Sequence, residues 1–184
     1  MTTQTVLDGE ERVGGGLRTR LFQADVAVFS LDRRYRYRLR RQWDPALPSC
    51  GFVMLNPSTA TEVRSDPTIR RCVGFARSWG YGAIEVGNLF ALRSRDPAAL
   101  RGRGIDPVGV GNDAAIAEIV DRSDLVVAAW GVHGELRQRG ERVFADLRRS
   151  GKLAHLGLTK GGQPRHPLYA PASCPLVRVP RGGP

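Results

Sequence analysis

Four short apolar runs are separated by segments of helical periodicity, and that alternation leaves the chain few architectures. The runs are CGFVML at residues 50–55, AIEVGNL at 83–89, DLVVAAW at 124–130 and LAHLGL at 153–158. Runs this short and this uniformly apolar suit strands covered on both faces. Between the first two, PTIRRCVGFARSW (67–79) carries Ile69, Cys72, Val73 and Ala76 at helical spacing. Asp66 is the expected N-cap, Pro67 fits the first helical position, and Tyr81-Gly82 ends the helix. DAAIAEIVDR (113–122) and the arginine-rich segment 135–150 read as two further helices. Strand–helix alternation predicts an α/β three-layer sandwich with a central, mainly parallel sheet.

Residues 21–44 read differently, as an N-terminal β-hairpin or two edge strands. In YRYRLRRQW (35–43), Tyr35, Tyr37 and Leu39 alternate with Arg36, Arg38 and Arg40, so a strand here has an aromatic face and an arginine face. That arginine face either is solvated or meets a phosphate backbone. Residues 1–20 are polar and glycine-rich and are expected to be a flexible N-terminal segment; residues 21–184 are expected to form a single α/β domain.

Charge narrows the partner class. Net charge is +10 with a pI near 10.7, and Lys152 and Lys160 are the only lysines. An arginine surplus favours phosphate, so the expected partner is nucleic acid, DNA ahead of RNA, or a nucleotide. A GC-rich genome explains arginine in place of lysine, but less readily the surplus of positive charge. Cys50, Cys72 and Cys174 are widely spaced and expected to be reduced, and His133, His155 and His166 lack metal-ligand spacing. No metal and no cofactor are expected. No apolar run nears the roughly 18–20 residues that span a bilayer, and the N-terminus lacks the order of a secretion signal, so no membrane and a cytoplasmic location are expected. GxxxxGK[ST], GxGxxG and GxSxG are absent, which disfavours P-loop enzymes, Rossmann dehydrogenases and serine hydrolases.

In open α/β sheets ligands bind on the loops beyond the carboxyl ends of the strands. That rule selects NPSTA (56–60), NLFALRSRDP (88–97), WGVHGE (130–135) and TKGGQPRHPLY (159–169). In the first loop, Asn56 offers donor and acceptor, Pro57 shapes the turn, and Ser58 and Thr59 offer hydroxyls beside a helix start. A plain strand-to-helix connection uses the same residue types. Asp66 is the nearest carboxylate and reads as either a base or a cap. In the second loop, Asn88 follows the strand, Phe90 either stacks on a base or packs in the core, and Arg93 and Arg95 are placed to hold phosphates. Trp130 and His133 read as a pocket wall or as a closure of the sheet. In the fourth loop, Arg165 supplies charge and His166 a hydrogen bond or proton near neutral pH.

The blocks LNPSTA, DPTIRRC, GYG, NLFALR, DP, ND, AWG and HPLY, spread over residues 35–169, resemble a bacterial family of uncharacterised proteins marked by them. More distantly, their order is similar to the uracil-DNA glycosylase superfamily. That resemblance implies a uracil-DNA-glycosylase-like fold. It further implies that Asn56 of Asn56-Pro57 positions an attacking water, that Asn88 of Asn88-Leu89 contacts the base, and that His166-Pro167 begins a loop with a catalytic histidine. Ser58 departs from the glycine of the GINPG-type turn, HPLY is shorter than HPSPLS, and three cysteines cannot supply a four-cysteine iron–sulfur set. The function expected is a DNA glycosylase-like hydrolase of N-glycosidic bonds. In it Asn56, His166 and Asp66 are catalytic, Phe90 and Trp130 wall the base, and Arg70, Arg71, Arg93 and Arg165 hold phosphates. The alternatives are a non-catalytic nucleic-acid-binding protein and an enzyme on a small nucleotide or sugar phosphate.

Overall fold

The computed structural model describes residues 25–182, except residues 59, 62, 63 and 103. The expected flexible segment 1–20 and the role given to Thr59 lie outside the described residues. Among them, seven strands form one sheet: β1 (Ala27–Phe29), β2 (Arg36–Gln42), β3 (Ser49–Met54), β4 (Ala83–Asn88), β5 (Leu125–Ala128), β6 (Leu153–His155) and β7 (Val177–Arg178). Their spatial order is β1-β2-β4-β3-β5-β6-β7. The middle, β4-β3-β5-β6, is joined by parallel ladders, whereas β1 to β2, β2 to β4 and β6 to β7 run antiparallel. The sheet is therefore parallel at its centre and antiparallel at its edges, which corrects the expectation of a mainly parallel one.

Three helices cover the two faces: α1 (Pro67–Ser78), α2 (Asn112–Arg122) and α3 (Arg139–Arg149). Alternate residues of the central strands serve opposite layers. Cys50, Phe52 and Val127 join Ile69, Cys72 and Phe75 of α1 on one face. Val53, Val126 and Leu153 join Ile116 of α2 and Val143 and Leu147 of α3 on the other. Every residue of β3, β4 and β5 is buried, as strands covered on both sides require. Each large aliphatic side chain so enclosed contributes about 1.5–3 kcal/mol. Close approach of α2 depends on Gly87, where a Cβ would stand 2.7 Å from Ile119 Cδ1.

Two local differences from expectation have clear causes. The helix expected from residue 135 begins at Arg139, after a 3-10 segment (Val132–Gln138) containing left-handed Arg137 and Gln138, φ 56° and 55°. This segment wraps the Trp130 indole so closely that a Cβ on Gly134 would fall 2.0 Å from its Cδ1. In β2, Arg36 and Arg38 pair with the adjacent residues Phe29 and Val28, so Tyr37 is extra and a β-bulge breaks the alternation. Arg36 consequently joins Leu39 and Arg41 as a buried residue, while Tyr35 and Tyr37 stack with centroids 6.3 Å apart. The arginine face, read as either solvated or set against a phosphate backbone, instead bonds within the fold. Arg38 and Arg40 flank fully buried Glu85, Arg38 also pairs with Glu118, and Arg41 binds the Thr61 carbonyl and Ser65 Oγ.

Candidate functional site

The four loops selected from the sequence meet. Beyond the carboxyl ends of the central strands they enclose a cavity of about 530 Å³, a volume ordinary for a small-molecule site. Asn56 and Ser58 come from the loop after β3, Ser94 and Arg95 from the chain after β4, Trp130 and His133 from the loop after β5, and Thr159, Arg165, His166 and Tyr169 from the chain after β6. Arg36 and Asp66 complete the wall.

Asn56 is fixed by what its amide nitrogen binds. Nδ2 donates to the Ser94 carbonyl at 2.8 Å and to the Pro57 carbonyl at 3.2 Å. Both partners are acceptors, so the nitrogen must face them, and Oδ1 has no hydrogen-bond partner among the described residues. Pro57 itself is buried and takes the Ser94 amide on its carbonyl at 2.9 Å, which joins the first loop to the second. Asp66 caps α1, its Oδ1 accepting the Ile69 amide at 2.9 Å, yet the residue also lines the cavity. The cap reading of Asp66 is therefore met, and the same residue stands at the cavity wall.

His166 begins the short 3-10 turn Pro167–Tyr169. Its Nδ1 accepts the Leu168 amide at 3.3 Å, so the proton of the neutral ring sits on Nε2. Burial lowers its pKa, opposed by the charge of Asp66, and the ring is neutral at pH 7. Gly131, at φ 75°, makes room for it: a Cβ there would stand 3.3 Å from His166 Cβ. Trp130 is 2% exposed, donates Nε1–H to Gln163 Oε1 at 2.8 Å and meets Phe144 edge-to-face. It is a rigid wall. Tyr169, 80% exposed and tilted against His166, is the aromatic at the rim.

Arg36 is the largest surprise. It is 2% exposed, donates Nη1–H to the Ala60 carbonyl at 2.9 Å and leaves Nε buried without a partner. Burial lowers its pKa to about 10, with Asp66 opposing and Arg93 and Arg41 assisting, so it remains charged at neutral pH. Beside the cavity runs a groove of about 490 Å³ lined by Arg33, Arg34, Arg93 and Arg95; it shares Ser58, Ser94 and Arg95 with the cavity. Arg33 and Arg93 both lie over the Phe29 ring, at 4.2 and 5.0 Å.

Several expected site residues lie elsewhere. Asn88 and Phe90 are fully buried, and neither lines the cavity. Backbone pairing continues past β4, with Leu89 N–H on the Met54 carbonyl and Phe90 N–H on the Leu55 carbonyl, so the chain stays inside the sheet. Asn112 Nδ2 covers the Asn88 and Leu89 carbonyls from α2, sealing that end. Asn88 is thus placed away from the cavity, and of the two readings of Phe90 the structure has core packing. Arg70 and Arg71 also lie away from the cavity, bonded to the Ser65 and Ala170 carbonyls. Arg93 lines the groove, and Arg165 the cavity. Sequence reasoning missed Arg36 and Tyr169; the bulge hid the first, and the second carried only the weak signal of ending the fourth loop.

A larger and more open depression, about 760 Å³, lies behind Trp130 between α3 and the 161–164 turn. Its Arg148 and Arg149 are already engaged, by the Pro180 carbonyl and by Asp146. Among the described residues no three of His, Cys, Asp and Glu cluster as metal ligands, and no helix is long and apolar enough to cross a membrane. A family model described as "Protein of unknown function (DUF1643)" matches residues 36–168. No curated protein and no solved structure matches the chain.

Proposed function

Because the chain belongs to this DUF1643 family, whose description carries no activity, we propose from its own geometry a hydrolase of N-glycosidic bonds in nucleic acid or a nucleotide. The observation that carries this reading is that Asn56 and Asp66 line one cavity with His166, which is distant in sequence. Asn56 Oδ1, an acceptor without a partner among the described residues on an amide held through Nδ2, is suited to hold a water. That water adds to the anomeric carbon, the C–N bond breaks, and its electron pair leaves with the base. His166 Nε2–H donates to the departing base, and the Asp66 carboxylate takes the proton of the water. Trp130 and Tyr169, in place of Phe90, supply the aromatic walls. The adjoining groove of Arg33, Arg34, Arg93 and Arg95 suits the sugar-phosphate chain on either side of a base turned into the cavity. The Asn-Pro turn after β3 and the His-Pro pair after β6 support the same reading through their likeness to the uracil-DNA glycosylase superfamily.

One observation favours a second reading, a non-catalytic nucleic-acid-binding module: Asn88, the residue assigned to base contact, is sealed in the core. Incubation with oligonucleotides carrying uracil, hypoxanthine or alkylated bases separates the two. Hydrolysis predicts abasic sites for at least one substrate and a loss of about 100-fold or more in Asn56→Ala. No release from any of them, with binding retained in Asn56→Ala and His166→Ala, selects the module.

A further inference from the structure

Ser94 is where the arginine groove and the cavity join: it lines both, with the groove residues Arg93 and Arg95 on either side of it in the chain. Its backbone is tied to the first loop in both directions. The Ser94 amide donates to the Pro57 carbonyl at 2.9 Å, and the Ser94 carbonyl accepts Asn56 Nδ2 at 2.8 Å. Its side chain fixes the turn that follows. Oγ donates to the Asp96 carbonyl at 2.9 Å and accepts the Asp96 amide at 3.0 Å, while Asp96 Oδ1 caps the 3-10 turn Pro97–Arg101 through the Ala98 amide. On the other side, the Arg93 amide binds the Arg34 carbonyl and Arg93 Nη1 the Arg33 carbonyl, both at 2.9 Å. The groove wall and the Asn56 amide are thus links of one hydrogen-bonded chain.

We infer that Ser94 is a positioning residue, through which phosphates in the groove fix the amide of Asn56. The inference rests on the hydrolytic reading above and deepens it: the substrate is a polynucleotide and not a free nucleoside, because only a chain fills the groove while its base is in the cavity. Both bonds of Asn56 Nδ2 are only partly buried, and such bonds are weak on balance because water can replace either partner. With the groove empty, the amide exchanges its partners for water, and Oδ1 turns with it. Phosphates on Arg93 and Arg95 pin the segment on both sides of Ser94, hold its carbonyl in place and keep Oδ1 set for the water. Binding energy from a part of the substrate remote from the breaking bond is thereby used at the reacting centre. A nucleoside without flanking phosphates meets a looser amide, so it loses kcat and not affinity alone.

Hydrogen exchange of the Asn56 side-chain amide, followed by NMR in the full chain and assigned by its loss in Asn56→Ala, tests this without requiring catalysis. The probe is a single-stranded oligonucleotide with a central tetrahydrofuran abasic site, which supplies phosphates and leaves no base opposite the cavity. Saturation with it should slow exchange of the Nδ2 hydrogens by about fivefold or more, the low end of ordinary coupling between two sites. Ser94→Ala removes both Oγ bonds to Asp96 and should abolish the slowing, with oligonucleotide affinity within about twofold of wild type because the groove arginines remain. Ser94→Thr keeps a hydroxyl and should restore it. Unchanged exchange in the wild type, or no binding of the oligonucleotide, would overturn the inference, and the wild type decides even where a variant fails to fold. Equal slowing in folded Ser94→Ala, or by deoxyuridine in place of the oligonucleotide, also overturns it. Slowing without base release from any oligonucleotide leaves the Ser94 link standing and removes the hydrolytic reading; base release without slowing does the reverse.

Discussion

The Leu168 amide, bonded to His166 Nδ1 at 3.3 Å, makes Nε2 the proton-bearing atom of the neutral ring. Burial holds the folded pKa below the ordinary 6.5, so the unfolded chain binds this proton more readily. Stability from this group is therefore fully present above about pH 6.5 and is lost as pH falls through the lowered folded value. Thermal denaturation from pH 7.5 down to 5 should show a shallower decline for His166→Gln than for wild type; parallel curves would remove this role. The same scale shows why some residues were legible and others hidden. Asn56 and His166 follow β3 and β6 into open loops, so the strand-end rule finds them. Asn88 and Phe90 also follow a strand, but continued pairing with the end of β3 keeps them inside, and the chain reaches the cavity only at Ser94. Arg36 was hidden because one extra residue in β2 reverses the face on which it falls.

Among the elements, α1 and the loop before it bring Asn56, Ser58 and Asp66 to the cavity. Arg36 and Arg41 of β2 hold that loop by the Ala60 and Thr61 carbonyls, and Asp66 turns it into the helix with φ −84° and ψ 174°. Replacing Asp66 with alanine should cost about 1 kcal/mol of stability in urea denaturation, and with asparagine only a few tenths. Equal losses would show that the carboxylate's charge, and not its cap, is what the fold uses. The start of α1 was readable because Asp-Pro carries both cap and first-turn signals. The start of α3 was not, because the Trp130 indole, a tertiary neighbour, diverts residues 132–138 from helical geometry.

At the scale of the molecule, the three layers were written in the alternation of apolar strands and amphipathic helices. Of the antiparallel edges, the β1–β2 pair was legible as a hairpin within residues 21–44, whereas β7, two residues long, is too short to leave a pattern. Net charge also acts at this scale. With +10 overall and an arginine groove beside the cavity, affinity for single-stranded DNA should fall steeply with salt. Arg93→Ala and Arg95→Ala should each reduce the slope of log affinity against log salt by about 1 if each side chain meets one phosphate. Unchanged slopes would move the strand off this groove. The most direct measurement is a crystal structure with an oligonucleotide carrying a 2′-fluoro-deoxyuridine, whose glycosidic bond resists hydrolysis. The account predicts the base between Trp130 and Tyr169, its anomeric carbon facing Asn56 and His166 and its flanking phosphates along Arg93 and Arg95. An oligonucleotide bound on another face, with that cavity unfilled, would contradict it.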